Sequence, residues 1–491
     1  MSATTQQSPA ATGMQRIPFP LESYEHPSLP LSAKKLVNLM AEQEPQDART
    51  AAALISTPGL QTYLTVGTGP IKALDFSQPG RLYVVSGTHF YRCIFAPDPA
   101  AGIEDMGDIG VPDDPNKMIT IGTGSTATVV CVPPRAYTCG HNTTGAIGGD
   151  PLQQLGGTFT GAASVAQMDN YWAFSDYADP ARWFISRLMD PTDFDALDFA
   201  YSDAMPNVLE RILGFRGQFW LMGQAGHEVW YDAGSSGLET TPGTSFFPFR
   251  RQPGAVISHG SFTPRSEVII DSSVWWLGVD GIVYRSNSYN AQRVSTHAIE
   301  AVLSDCDVAF AYIWGGHTFY CITQGNRTFE YNCATKVWHE RSSSADGTAR
   351  WKINCACPFG SSYLLGDSLS GRLFLPIRNE PTDGDGYNVI RQAILPPLWA
   401  NTRRAFCARL EVEMEVGAQS PTGDVTLDWS DTGGQSWDGG PRTMSAGAFY
   451  GDRRRVFTTR LGSFRQRIYR LTTHGCTSLY AVDADIAGGA T

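Results

Sequence analysis

No run of eighteen apolar residues occurs in this sequence, so no segment is expected to cross a membrane as a helix, and direct membrane insertion is not expected. There is no G-x-x-x-x-G-K-[ST] phosphate loop, which removes an ATP-driven motor from consideration. G-x-S-x-G and H-E-x-x-H are also missing, which removes two common hydrolase designs. Charged residues are sparse at 17%, and the formal net charge is −11. A groove that grips nucleic acid by releasing counterions needs a basic surface, so the charge argues against that mode while leaving open a surface along which DNA slides. Ten cysteines are scattered at Cys93, Cys131, Cys139, Cys306, Cys321, Cys333, Cys355, Cys357, Cys407 and Cys476 without a C-x-x-C pair, and read as buried reduced thiols. His89 with Cys93, Cys139 with His141, and Cys355 with Cys357 each offer two ligands where a structural zinc needs four, so no metal or cofactor is expected. Residues 1–16 are small and polar and lack the apolar centre of a signal peptide.

What is abundant is glycine, proline and aromatic residues: 50 Gly, 30 Pro, 24 Phe, 19 Tyr and 12 Trp. That balance favours many short strands joined by tight turns. One pattern repeats: an apolar run, a Gly turn, then an apolar pair with an aromatic. It reads Leu82-Tyr83-Val84-Val85-Ser86-Gly87 before Phe90-Tyr91, and Phe219-Trp220-Leu221-Met222-Gly223 before Val229-Trp230. It returns at Trp275-Trp276-Leu277-Gly278, at Tyr312-Ile313-Trp314-Gly315 and at Tyr363-Leu364-Leu365-Gly366. Weaker copies lie at Val129–Cys131 with Tyr137 and at Tyr171–Phe174 with Trp183–Ile185. Each copy reads as a hairpin. Six intervals of about 46 residues separate Gly87 from Gly366, the spacing of four-stranded propeller blades. An irregular sandwich with accidental spacing is the competing reading, and the even interval favours the propeller.

The fold is therefore predicted to be mainly β: a propeller of six or seven blades over residues 61–395, followed by an antiparallel β-sandwich-like domain over 396–491. Residues 1–29 read as a polar arm, and residues 30–60 as an extended segment, since Pro27, Pro30 and Pro45 oppose a helix there. The one clear helix candidate is Ser295–Leu303, where Ile299, Val302 and Leu303 share a face.

Candidates for chemistry are thin, and no catalytic residue is assigned. Asp176, Asp179, Asp190, Asp193, Asp195 and Asp198 sit among Tyr177, Trp183, Phe194 and Phe199, a composition compatible with glycoside hydrolysis. Asp-Pro pairs at 179–180 and 190–191 make turn chemistry the better reading. Ser430-Asp431-Thr432-Gly433-Gly434-Gln435-Ser436-Trp437 is similar to an Asp-box, a hairpin lock without catalytic function. The strongest charge feature is basic: Arg453, Arg454, Arg455, Arg460, Arg465, Arg467 and Arg470 face one acid, Asp452. They read either as a solvated strand face or as a docking surface for an acidic partner, with DNA contact a third option.

The stretches Leu36–Glu42, Ala53–Leu60 and Leu82–Gly87 resemble the packaged-DNA stabilisation proteins of short-tailed bacteriophages, also called tail accessory or tail hub proteins. The likeness continues in order through Phe174–Asp176, Asp193–Phe199, Gly226–Tyr231, Phe246–Phe249 and Arg293–Glu300. It ends at Arg460–Gly462, Arg465, Arg467 and Arg470, and so covers about residues 30–486. The resemblance implies a non-enzymatic virion protein of the phage tail, assembled in the host cytoplasm as a ring, typically a hexamer, below portal and adaptor. Such a ring, a hub or nozzle, extends the DNA channel, retains packaged DNA and takes part in ejection. Tail needle, fibre or spike proteins are its implied neighbours. The alternative is a glycan-binding or glycan-cleaving propeller used in host attachment.

Overall fold

The computed structural model describes residues 14–43, 52–95, 102–141, 149–205, 208–234, 247–400, 403–416, 424–437, 440–447, 453–475 and 477–488. The first thirteen residues of the polar arm, Phe246, Asp452 and Cys476 lie outside them.

The chain is nearly all strand, and most of it forms a closed ring of four-stranded antiparallel meanders. Blade 1 runs from Ile71–Asp75 to Ile103–Asp108, blade 2 from Thr120–Thr123 to Gln153–Gln154, and blade 3 from Ala162–Met168 to Phe199–Tyr201. Blade 4 runs from Leu209–Phe215 to Phe249–Ile257, blade 5 from Val268–Ile270 to Asn290–Arg293, and blade 6 from Val308–Trp314 to Val337–Arg341. Blade 7 has three strands from Ile353–Phe359 to Arg372–Ile377, and its fourth and outermost is the early strand Gly59–Thr65. Six of these units are self-contained four-stranded sheets, while blade 6 is continued into a larger sheet.

The continuous apolar runs of the repeat follow from this arrangement. A strand inside a blade is covered on both faces, so both sets of alternating side chains must be apolar. Tyr83 and Val85 pack toward blade 2, while Leu82 and Val84 pack toward blade 7. Trp275 and Leu277 face blade 6, and Val274 and Trp276 face blade 4. Seven apolar clusters result, one between each neighbouring pair of blades, the last joining blade 7 to blade 1. Six copies of the repeat are the second and third strands of their blades, but Tyr312–Tyr320 of blade 6 is its first and second. The turn there, Gly315-Gly316, has positive φ at both residues, which suits a two-residue hairpin loop. The helix expected at Ser295–Leu303 is short, His297–Glu300, and its Ile299 joins Leu303 in the core between blades 5 and 6.

The second unit is a two-sheet sandwich, and it is not built from the C-terminal residues alone. One sheet carries Arg453–Thr459, Ala405–Val416, Thr477–Gly488, Ala52–Ser56 and Leu39–Gln43 in that order, with Met14–Ile17 also paired to Thr477–Gly488. The other carries Ala33–Val37, Ile390–Ile394, Gln466–His474, Asp424–Ser430 and Arg442–Ser445. Their inner faces share a core containing Leu36, Leu54, Leu410, Val412, Leu427, Leu471 and Val482. The segment expected to be a separate extended stretch, residues 30–60, thus supplies three sandwich strands and the start of the closing strand of blade 7. Its apolar alternation needs a partner face, and the C-terminal strands provide one. Ala33–Val37 also pairs in parallel with blade 6 through Val37 and Glu340, so propeller and sandwich share one sheet.

Candidate docking surface on the sandwich

The arginine-rich segment occupies one edge of the sandwich, and the fold divides its residues into two groups. Arg467 points inward. Its guanidinium donates to both oxygens of Asp431 at 2.7 Å each and to the Leu461 carbonyl at 2.6 Å. It also lies over Phe464 and Trp429, at 4.7 and 5.2 Å from the ring centroids. Arg470 pairs with Asp428 and stacks on Trp437 at 4.1 Å. Both arginines therefore brace the Asp-box-like hairpin. Ser430 Oγ accepts the amide hydrogens of Thr432 and Gly434, which is the hairpin lock expected from the sequence. The reading of all seven arginines as one solvated face fails for these two, whose guanidiniums are taken up by Asp431 and Asp428 and by the aromatic rings beside them.

Arg455, Arg460 and Arg465 are exposed, and Arg454 is half-buried. Arg453 opens its strand opposite Glu415. Arg455 lies 3.9 Å from Glu413 across the strand pair, a loose contact in solvent that leaves the guanidinium available. Arg460 takes a left-handed backbone, φ 62°, at the corner where the chain leaves Arg453–Thr459.

Sequence reasoning missed the apolar half of this surface. Trp399, Phe406 and Phe457 are 60%, 51% and 53% exposed, high values for residues of this size. They sit beside the arginines because residues 398–409 and 457–467 are laced together. Trp399 pairs with Gln466, Phe406 with Ser463, and the Arg460 amide donates to the Ala408 carbonyl. Arg409 stacks on Phe457 at 3.9 Å while holding Glu411 at 2.5 Å. Arg403 and Arg404 add two more exposed cations. The available signal was alternation: Val456 is buried in the core, so Phe457 must point to the outer face.

Elsewhere the candidate chemistry resolves into structure. Asp176 pairs with Arg182 at 2.8 Å and accepts the amides of Ala178 and Asp179. Asp190 accepts from Thr192, and Arg187 holds Asp195 at 2.7 Å. These carboxylates fix turns. His89 pairs with Asp105, and His141 bridges Tyr83 and the Gly124 carbonyl. Among the described residues no group of three or more His, Cys, Asp or Glu could hold a metal, and no helix is long and apolar enough to cross a membrane. Most described cysteines are buried, and burial pushes Cys93 and Cys139 up to about 12, far from reactive thiolates.

A family model described as bacteriophage P22 Gp10, β-propeller, of the phage stabilisation type, matches residues 18–375. No curated protein matches the chain. Similar solved structures include the computationally designed Ika8 protein, at 10% identity and TM-score 0.38, covering 66% of this chain and 100% of that one. The WD40 β-propeller domain of Doa1 aligns at 10% identity and TM-score 0.41, over 67% and 100%. PorZ of Porphyromonas gingivalis aligns at 12% identity and TM-score 0.37, over 78% and 46%.

Proposed function

The chain belongs to the phage stabilisation family of Gp10 β-propellers, and from that premise we propose that it is a non-enzymatic ring component of a phage tail, seated below portal and adaptor. The observation that carries this reading is the family match over residues 18–375. The surface just described supports it. Arg and large aromatics are the residue types enriched at protein interfaces and at their energetic centres. Exposed Arg455, Arg460 and Arg465 and exposed Trp399, Phe406 and Phe457 lie on these paired segments of an otherwise acidic protein. We assign this surface to docking on an acidic face of a neighbouring tail protein, where Arg forks pair with carboxylates.

An assembled ring, hexameric in this reading, multiplies the net charge of −11 by its copy number. A channel wall of that sign repels phosphates and lets the genome slide, which suits a part that retains DNA by completing the tail and releases it at ejection. Needle, fibre or spike proteins then close or extend the distal side. The glycan-cleaving alternative draws no support from Asp176, Asp179, Asp190, Asp195 and Asp198, which are engaged in turns and ion pairs.

The test is assembly. Mixed with its portal–adaptor complex, the protein is expected to form a closed ring bound end-on, seen as mass by light scattering and as symmetry by negative-stain imaging. The Arg460→Glu/Arg465→Glu variant is expected to stay folded and to lose that assembly. A monomer that ignores the portal, or a charge-reversed variant that assembles normally, overturns the docking assignment.

A further inference from the structure

The ring of blades leaves space along its axis. Two hollows of about 350 and 420 Å³ lie there, both lined by Lys72, Met118, Ile119, Val308 and Asn354, so they are contiguous. The larger is walled by the first strands of blades 1, 2, 4, 5, 6 and 7. The smaller is its mouth, where the first strands of blades 1, 2, 6 and 7 begin.

The mouth is chemically uneven. Val111, Pro112, Pro115 and Met118 give it an apolar wall. Lys72 and Arg265 also line it, half-buried, and neither side chain has a hydrogen bond or ion pair among the described residues. Lys72 is desolvated enough for burial to lower its pKa. A third cation, Lys117, is held by Glu210 at 2.6 Å. The only carboxylate lining the mouth is Asp307, which accepts the Gly325 amide. Deeper in, Glu267 is 2% exposed and neither of its oxygens has a hydrogen-bond partner. Burial pushes its carboxyl up to about 8, so at neutral pH it is a neutral acid able to donate a proton to a ligand oxygen. Beside it, Arg211 donates to the carbonyls of Pro264 and Glu267.

Partly desolvated cations that make no ion pair are costly unless something completes them. An enclosed apolar hollow with a few convergent polar groups is the usual form of a small-molecule site. We propose that the axial cavity of the propeller binds a small organic anion, its carboxylate or phosphate head between Lys72 and Arg265 and its apolar body against Met118 and the proline wall. This site is separate from the sandwich edge and does not depend on the docking assignment.

The test is isothermal titration of the full chain with phenyl phosphate, inorganic phosphate and benzyl alcohol. Saturable binding is expected for phenyl phosphate, weaker binding for inorganic phosphate, and none for the neutral alcohol. Lys72→Met and Arg265→Met should each weaken phenyl phosphate by about tenfold, with unchanged circular dichroism and a melting temperature no lower than the parent's. A non-lining control, Lys34→Met on the sandwich, should bind as the parent does. The proposal is overturned if phenyl phosphate shows no saturation, if the alcohol binds equally, or if folded variants bind as tightly as the parent.

Discussion

Replacing Glu330 by glutamine tests whether the seam between blades 6 and 7 is held by charge. Glu330 is fully buried, and each of its oxygens is engaged. One lies 2.7 Å from His339 Nε2 and 3.9 Å from Arg341 Nη1; the other accepts from Tyr312 at 2.8 Å and lies 3.2 Å from the Cys321 sulfur. Arg341 is equally buried, rests on the Trp351 ring at 4.1 Å, and donates to the Pro58 carbonyl at 3.0 Å. Glutamine keeps the shape and removes the charge, leaving a buried guanidinium without its anion. Breaking one side of a buried pair costs about 3–5 kcal/mol, and the retained Pro58 and Trp351 contacts place the expectation at the low end, about 3 kcal/mol. The assay is urea denaturation followed by tryptophan fluorescence, for which Trp351 is placed at the seam. The Glu330→Gln/Arg341→Met double variant removes both charges and should recover part of the loss, giving a coupling energy of at least about 1 kcal/mol. A Glu330→Gln variant within about 1 kcal/mol of the parent, or a coupling indistinguishable from zero, would refute the reasoning. Acid titration gives an independent check. Burial alone raises the Glu330 carboxyl, but Arg341, His339 and Tyr312 outweigh it and hold it at about 2. A depressed carboxyl contributes stability above its unfolded pKa, near 4.3, and loses it as pH falls toward 2. The parent should therefore lose stability over that window, and Glu330→Gln should lack that component.

Glu267 has the opposite sign. Its raised carboxyl stabilises the fold below about 4.3, and that contribution is lost as pH rises toward about 8. Glu267→Gln should therefore be more stable than the parent at pH 8 and match it near pH 4, read by melting temperature. Trp276→Ala, emptying a fully buried site between blades 4 and 5, should cost about 3–5 kcal/mol in denaturant midpoint analysis. Gly124→Val should destabilise by at least about 1 kcal/mol, since even a Cβ there would meet the Trp172 ring at 2.6 Å; a neutral effect in thermal melts would count against the tight packing of blades 2 and 3.

How much of this was legible beforehand differs by feature. The blade count rests on runs such as Leu82–Val85 and Trp275–Leu277, whose neighbours on both faces force continuous apolarity, so the repeat was visible in one dimension. The displaced copy at Tyr312–Tyr320 shows the limit: spacing locates a hairpin without saying which pair of strands it forms. Ala408–Val416 alternates as a half-buried strand does, but its sheet's partners from residues 14–56 are not legible, because strand pairing across more than three hundred residues leaves no local signature. In the candidate site, charge was legible and burial was not. Arg467 and Arg465 are two residues apart on one chain, yet one braces a hairpin and the other is exposed, since Arg467 lies within strand Gln466–His474 and Arg465 in the bend before it.

The strand Gly59–Thr65 completes a blade whose other three strands end at Ile377. In time rather than space, this means the closing strand leaves the ribosome long before its partner exists. Synthesis at about 5–20 residues per second puts roughly 15–60 s between them. Met14–Ile17 waits longer still, for Thr477–Gly488. The early segment must remain unpaired and soluble throughout, and the ring can close only near the end of translation. A chain cut short anywhere before Arg372 therefore exposes an unlatched edge, which marks it as unfinished.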